Sequence, residues 1–154
     1  MRIYVDADSC PVKEEVYRVA RRNELGVTLV AAAWQRVPLE SGIQLEVVKE
    51  TGGLDAVDDW IVEHVGPGDV VVSDDILLAA RCLPKGARVL SCRGRELTAG
   101  TVGEAVAMRE LTANLREAGL ITGGQPPFAK EDRSKFLQQL DKIVQQTRRK
   151  TASQ

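Results

Sequence analysis

The sequence predicts an α/β fold in three layers, α/β/α, in which helices cover both faces of a mostly parallel central sheet. Short, all-apolar runs at residues 3–5, 27–34 and 70–73 alternate with segments that repeat apolar side chains at helical spacing. Strands that are apolar on both faces are typical of parallel sheets buried between helices. The runs at 3–5 and 70–73 each end in paired acids, which is expected where a buried strand reaches an exposed edge.

The predicted elements follow the order β-α-β-β-α-β-α-β, with two further helices in the last third of the chain. The first helix is expected to begin at Pro11, where the missing N–H of proline is harmless, with Ser9 or Cys10 as its cap. Gly52 and Gly53 break the chain before the second helix. The predicted strands are residues 3–5, 27–34, 43–48, 70–73 and 87–91. The predicted helices are residues 11–23, 54–65, 76–83, 102–118 and 132–149.

The length of 154 residues fits one domain with a substantial core. We expect that domain to span residues 1–150, with an α/β core at 1–95 and a helical C-terminal part at 96–150 that covers the sheet. The final residues, 151–154, are expected to fray, as chain ends do unless they are tied down.

Charge and composition exclude several classes of protein. The formal net charge is −1, so no global field attracts nucleic acid or membrane, and any basic surface must be local. No run approaches the ~18 consecutive apolar residues of a membrane span, and the acidic start MRIYVDAD differs from a secretion signal. The cysteines Cys10, Cys82 and Cys92 form no pattern, which favours free thiols in a reducing cytoplasm.

Two pairs of aspartates follow two of the predicted strands. Asp6 and Asp8 come after the first strand, and Asp74 and Asp75 come after the fourth. In an open α/β sheet the ligand crevice lies outside the carboxyl ends of the strands. We therefore expect these four acids to meet at one edge of the sheet.

Another acid, Asp58, lies on the apolar face of the predicted second helix. At ~100° per residue, Asp58 falls inside the arc formed by the apolar side chains of residues 54–65, and Asp55 lies at the edge of that arc. An acid that faces a core is costly unless it is paired or binds a cation. Because a helix that follows a strand starts near the carboxyl end of that strand, this first turn is expected to face the same crevice.

Several carboxylates in one crevice need protons or metal ions between them. Two unit charges ~4 Å apart repel by about 4 kcal/mol at an effective dielectric constant of 20, and all-oxygen ligands suit Mg²⁺ or Mn²⁺ rather than zinc. Two such ions can activate a water and stabilise the leaving oxygen in phosphodiester cleavage. The alternative is that the acids cap turns and helices. We expect that role for Asp59 and Asp69, and it stays open for Asp74 or Asp75 at the helix of residues 76–83.

A basic stretch without any acid runs from residue 76 to residue 94. Its candidate contacts to a phosphate backbone are Arg81, Lys85 and Arg93, and the alternative is an ordinary solvated face. Aromatic residues make up only 4% of the chain, so base stacking has few platforms. Trp34 and Tyr4 are assigned to the core.

Other chemistries have weaker support in the sequence. His64 is the single histidine, and we expect a structural or surface role for it. Cys10 near a helix start could act as a nucleophile with a lowered pKa, although a plain helix-start residue is the favoured interpretation. No cysteine–histidine spacing for zinc and no phosphate-binding glycine loop occurs in the sequence.

Four segments together resemble the YaiI/YqxD family of uncharacterised bacterial proteins: VDADSCPVK, GGLDAVDDWIVEHV, GDVVVSDDILLAARCL, and TGGQPPF with DRSKFLQQLD. That family is similar in fold to PIN-like nucleases and their NYN relatives, so the resemblance implies a PIN-like fold and a Mg²⁺- or Mn²⁺-dependent ribonuclease-like site. In those nucleases acids lie at the end of the first strand, on a central helix and at the end of the fourth strand. The residues that match these places are Asp6 and Asp8, Asp55 or Asp58, and Asp74 and Asp75.

The resulting hypothesis is a cytoplasmic, metal-dependent nuclease-like protein that acts on RNA. In this hypothesis Asp6, Asp8, Asp58 and Asp74 form the catalytic metal site and an activated water is the nucleophile. The supporting residues are Asp55, Asp75, Ser9 and Ser73, of which the two serines orient a phosphate or water.

Two alternatives stay open. DADSC resembles the opening motif of haloacid dehalogenase-like phosphatases, in which Asp6 would be the nucleophile and Asp8 the general acid/base. However, Cys10 stands where Thr or Val is usual, and no Ser/Thr clearly ends the second strand. The other alternative is a non-catalytic domain that binds RNA or a protein partner, which would tolerate Asp→Asn changes.

Overall fold

The computed structural model describes residues 1–49, 55–119 and 126–152, and within them the chain forms six strands and five α-helices. The strands are β1 (Arg2–Asp6), β2 (Gly26–Ala31), β3 (Ile43–Val47), β4 (Val70–Val72), β5 (Arg88–Leu90) and β6 (Glu96–Leu97). The helices are α1 (Lys13–Asn23), α2 (Ala56–His64), α3 (Ile76–Cys82), α4 (Ala99–Glu117) and α5 (Lys130–Ala152). Short 3₁₀ turns occupy Ala7–Ser9 and Leu83–Lys85.

All six strands form one sheet in the order β3-β2-β1-β4-β5-β6. Neighbouring strands are parallel except for β6, which runs antiparallel to β5. From β1 the chain builds outward through β2 and β3 on one side, and it later returns to add β4 and β5 on the other. The strand order therefore reverses between β1 and β4, and ligands of such sheets bind at the carboxyl edge of that point.

The helices divide into two layers. On one face α1 and α5 pack against the sheet through buried side chains that include Val16, Tyr17, Phe136 and Leu140. On the other face α2, α3 and α4 contribute Val57, Ile61, Leu78 and Val102. The predicted three-layer α/β/α architecture with a mostly parallel sheet is thus confirmed. The two C-terminal helices lie on opposite faces, so the helical part at 96–150 does not form a single layer.

The start of the first helix is a correction to the sequence analysis. Helix α1 begins at Lys13 rather than at Pro11, and Val12 rather than Ser9 or Cys10 is its N-cap residue. The preceding 3₁₀ turn is held against β2, because the Asp8 carboxylate accepts a hydrogen bond from the Ala32 backbone N–H at 3.0 Å. This tertiary contact delays the helix, and the local proline signal does not reveal it.

Trp34 is a second correction. Strand β2 ends at Ala31, three residues before Trp34, and the indole is 75% exposed rather than part of the core. Tyr4 is buried as predicted.

The short strand β6 was missed because its two residues cannot show a periodicity. In the part of the chain that the structure describes, no helix has the length and apolar character needed to cross a membrane.

Candidate acidic site at the carboxyl edge of the sheet

The aspartates singled out in the sequence come from different elements and lie at the same edge of the sheet. Asp6 is the last residue of β1, and Asp74 and Asp75 follow β4, its neighbour in the sheet. Asp58 lies in the first turn of α2, which Asp55 precedes as the N-cap residue. This edge is where the strand order reverses, so the acids occupy the position that the topology favours for a ligand.

Ser73 connects the two strands that carry these acids. Its side chain is only 2% exposed. The Ser73 hydroxyl donates a hydrogen bond to Oδ2 of Asp6 at 3.1 Å, and its oxygen accepts one from the Asp75 backbone N–H at 3.0 Å. A buried serine that donates and accepts in this way holds Asp6 in a fixed position relative to the turn after β4. Ser73, predicted as a supporting residue, therefore lies between Asp6 and Asp75.

Asp58 faces the other acids, and its protonation reflects them. Burial raises the pKa of the Asp58 carboxyl to about 7, and the charges of Asp75, Asp6 and Asp55 and a hydrogen bond with Asp75 add to the rise. A carboxyl with this pKa is about half protonated at neutral pH. The expected position of Asp58 towards the acidic crevice agrees with these interactions.

Burial also raises the pKa of Asp6, and the negative charges of Asp8, Asp75 and Asp74 act in the same direction. The hydrogen bond from Ser73 opposes this rise, because it favours the ionised carboxylate. Asp6 and Asp58, whose pKa values are raised, therefore both lie near other carboxylates. A cation at this edge would relieve the repulsion that raises both pKa values.

Three of the acids use one carboxylate oxygen to bind backbone N–H groups. Asp8 accepts from Ala32 as described above, and Oδ1 of Asp74 accepts from the Cys92 N–H at 2.8 Å. Oδ1 of Asp75 accepts from the N–H groups of Leu77 and Leu78 at 2.9 and 3.2 Å. The helix-capping alternative is thus correct for Asp75. Each of these carboxylates keeps a second oxygen.

The acids do not form a compact ligand cage. Across residues 1–49, 55–119 and 126–152, no three His, Cys, Asp or Glu side chains are grouped closely enough to hold a metal ion. Ser9 is exposed in the 3₁₀ turn that follows β1, at the same edge of the sheet. A cation here would need oxygen ligands from water or substrate in addition to the aspartates.

Two other acids were expected to cap turns or helices, which is correct for Asp69 and wrong for Asp59. Asp59 points away from the cluster and forms an ion pair with Arg81 at 2.7 Å. Asp69 accepts hydrogen bonds from the backbone N–H groups of Gly66 and Arg2 at 3.0 and 2.9 Å, which closes the turn before β4. Neither residue faces Asp58 or Asp6.

The predicted nucleic-acid contacts do not share one surface. Arg81 pairs with Asp59, and Lys85 donates to the carbonyl oxygen of Val62 near the opposite edge of the sheet. Arg93 forms an ion pair with Asp132 of α5 at 3.1 Å. Arg81 and Lys85 thus both contact α2, whereas Arg93 contacts α5 on the other face of the sheet, so the three do not form one patch.

A groove next to the acids contains cations that the sequence analysis did not identify as site residues. The groove has a volume of about 1100 Å³. Asp55, Asp74 and Asp75 line one side, and Arg109 and Arg116 of α4 line the other. Arg95, Glu104 and the apolar side chains of Leu77 and Met108 also line it. The spacing of seven residues between the two α4 arginines was a usable signal, but the sequence does not show which way α4 faces.

The cysteines and the histidine have structural environments. The Sγ atoms of Cys10 and Cys92 lie 3.9 Å apart in the core, and a hydrogen bond from Cys92 lowers the pKa of the Cys10 thiol. Cys10, Cys82 and Cys92 are free thiols, as expected. The His64 ring stacks on Trp60 and its Nδ1 lies 2.7 Å from the Trp60 carbonyl oxygen, at the end of α2 remote from the acids.

Comparison with known proteins gives one consistent match. The model of the family described as "Uncharacterized BCR, YaiI/YqxD family" matches residues 4–146. A UPF0178 protein of Paramagnetospirillum magneticum is 50% identical over 148 residues, covering 96% of this chain and 97% of that protein. A UPF0178 protein of Brucella ovis is 50% identical over 147 residues, covering 96% of this chain and 91% of that protein. No solved structure matches the chain significantly.

Proposed function

Because this chain belongs to the YaiI/YqxD family, whose own description assigns no reaction, its function has to be argued from the site. We propose that the protein is a hydrolase that cleaves phosphodiester bonds of RNA with the help of Mg²⁺ or Mn²⁺. The observation that carries this proposal is the convergence of Asp6, Asp58 and Asp75 from β1, α2 and the turn after β4. These three elements are also the places of the acids in the PIN-like nucleases that the sequence resembles.

The electrostatics of the site favour an added cation. Burial, together with the charges of Asp75, Asp6 and Asp55, raises the pKa of Asp58 to about 7, so this carboxyl holds a proton about half of the time at neutral pH. A divalent cation would replace that proton and neutralise the repulsion. Oxygen-only donors match Mg²⁺ and Mn²⁺.

The incomplete ligand set fits one particular mode of magnesium binding. Mg²⁺ usually keeps several waters and is held by one or two carboxylates together with substrate phosphates. Asp6 and Asp58 are the first candidates to hold it, and Asp8 and Asp74 each keep one carboxylate oxygen for this purpose. When bound, the ion would supply charge neutralisation at the phosphate and acidify a water.

The chain's own contribution is the positioning of these acids. Ser73 fixes Asp6, the Cys92 backbone N–H fixes Asp74, and the Ala32 backbone N–H fixes Asp8. Carboxylates that are held by backbone and buried hydroxyl groups lose little conformational freedom when they bind a ligand. This rigidity supports a binding role, because carboxylates that only interact with solvent do not need to be held in one position.

The test is a calorimetric titration with Mn²⁺ and Mg²⁺, with and without a single-stranded 2′-O-methyl RNA oligonucleotide whose integrity after the titration is checked by gel electrophoresis. Wild type is expected to bind the ion more tightly with the oligonucleotide present, and Asp58→Asn is expected to lose this binding. Asp59→Asn is the matched control, because its neighbouring carboxylate points away from the cluster and pairs with Arg81. Cleavage of single-stranded RNA is then expected to follow the same order among the variants.

Absence of ion binding under both conditions would overturn the metal-dependent proposal and favour the non-catalytic alternative. Cleavage of a small phosphate monoester instead of RNA would favour the haloacid dehalogenase-like alternative. Nothing in the site favours that second reaction, because β2 ends at Ala31 and is followed by Ala32, so no hydroxyl stands at the end of the second strand.

A further inference from the structure

The groove beside the acids has two chemically different sides. The acidic side, with Asp74 and Asp75, belongs to the site described above. The opposite side is a face of α4 that presents Arg109 and Arg116 to the groove, and Arg95 lies in the turn between β5 and β6. An anionic ligand that reaches the acids with a cation therefore meets arginines as it extends away from them.

The spacing along α4 determines what kind of anion fits. Arg109 and Arg116 are seven residues apart, which places them on the same side of the helix within about 20° and about 10 Å apart along its axis. Two anion-binding side chains are therefore attached at separate positions along the groove. A chain that carries several phosphates can contact both, and the planar guanidinium group binds a phosphate through two hydrogen bonds.

Apolar surface between the charges narrows the ligand class further. Leu77 is 53% exposed and Met108 is 61% exposed, and both line the groove. In a duplex the faces of the bases are stacked within the helix, whereas an unpaired strand can turn its bases and sugars towards apolar side chains. The combination of spaced arginines and exposed apolar groups suits a single strand better than a duplex.

We propose that this α4 groove binds the sugar-phosphate backbone of a single-stranded nucleic acid, with different phosphates of the strand at Arg109 and Arg116. The proposal rests on the proposed function for the position of the cleaved bond, which lies at the acidic side. Binding at the arginines themselves requires no cation. The groove therefore holds a strand at several phosphates, and the acids act on one of them.

Fluorescence anisotropy with a labelled, single-stranded 12-nucleotide 2′-O-methyl RNA tests this proposal in buffer that contains EDTA. Arg109→Gln is expected to weaken binding about three- to tenfold and to reduce the slope of log K against log salt by about 0.7, the value for one lost phosphate contact on a single strand. Arg22→Gln is the matched control, because Arg22 is an exposed arginine in the last turn of α1, at the opposite edge of the sheet. It removes the same charge and is expected to leave both quantities unchanged.

Three results would overturn the proposal: no binding by wild type at 50 mM salt, equal effects of the two substitutions, or competition by inorganic phosphate at the same phosphate concentration as the oligonucleotide. Because EDTA removes divalent cations, none of these results depends on metal binding or hydrolysis. A protein that binds the strand through Arg109 but never cleaves RNA with Mg²⁺ or Mn²⁺ would refute the proposed function and leave the binding site intact.

Discussion

Replacing Asp58 with asparagine is expected to stabilise the protein at alkaline pH. The pKa of Asp58 is raised from 3.8 to about 7 in the folded protein by burial and by the charges of Asp75, Asp6 and Asp55. A carboxyl whose pKa is higher in the folded state stabilises that state while it is protonated. This contribution is complete below about pH 4 and is lost as the pH rises through about 7. The asparagine side chain carries no such charge at any pH.

The size of the effect follows from the change in pKa and from exposure to water. A rise from 3.8 to about 7 corresponds to about 4 kcal/mol if it is fully expressed, of which about 3 kcal/mol is lost between pH 5 and pH 8. Asp58 is only partly buried, and solvent screens charges at such positions, so we expect about 1–2 kcal/mol. We therefore compare the free energy of unfolding of the variant with that of wild type at two pH values. The difference, variant minus wild type, should be larger at pH 8 than at pH 5 by about 1–2 kcal/mol.

Urea denaturation followed by circular dichroism between pH 5 and pH 9 measures this difference. Asp59→Asn is the control, and it is expected to leave the pH dependence of the free energy of unfolding unchanged. Addition of Mg²⁺ at pH 8 is expected to stabilise wild type more than Asp58→Asn, since the ion offsets the charge that the variant lacks. Parallel pH profiles for wild type and Asp58→Asn would refute the reasoning. A variant that is less stable than wild type at pH 8 would refute it as well.

Three further substitutions test the supports of the site by urea denaturation. Ser73→Ala is expected to cost about 1–3 kcal/mol, and NMR titration should show a further rise in the pKa of Asp6 because the Ser73 hydrogen bond lowers it. Gly94→Ala is expected to cost about 2–4 kcal/mol, because φ is +84° and a Cβ would lie 2.7 Å from the Phe136 nitrogen. Its control, Gly103→Ala, meets nothing within 4 Å and should stabilise α4 by up to about 1 kcal/mol. Phe136→Ala is expected to cost about 3–5 kcal/mol, and a value below about 1 kcal/mol would show that α5 is peripheral.

Much of the fold could be predicted from hydrophobic patterns, because each buried strand and helix face carries its own periodicity. The parallel sheet was indicated by all-apolar strands such as β4, whose three residues are all buried. The patterns failed where tertiary contacts decide the outcome. The bond between Asp8 and Ala32 delays the start of α1 beyond Pro11, and Trp34 continues an apolar run although β2 has already ended.

The acids of the site could be predicted because a topological rule places strand ends together. The arginines of the groove could not be predicted, because their position depends on how the helices pack. Arg81 and Arg93 share a sequence segment, but Arg81 pairs with Asp59 of α2 and Arg93 with Asp132 of α5 on the other face of the sheet. Arg109 and Arg116 lie in the groove because α4 packs next to α3, which no local pattern encodes. An arginine pair at seven-residue spacing becomes informative only when the face of its helix is known.

Capping and ligand binding were treated as alternatives for the acids, and the geometry shows that they are compatible. A carboxylate has two oxygens, and Asp75 uses one of them to bind the first N–H groups of α3. Asp74 likewise gives one oxygen to the Cys92 N–H. The bonds that satisfy the backbone also fix where each remaining oxygen lies, so capping leaves these oxygens available for the cation that we propose. Substitutions at Asp74 or Asp75 will therefore remove backbone hydrogen bonds as well as a candidate ligand, whereas Asp58 caps nothing in the described residues and its effect on stability is tied to its charge.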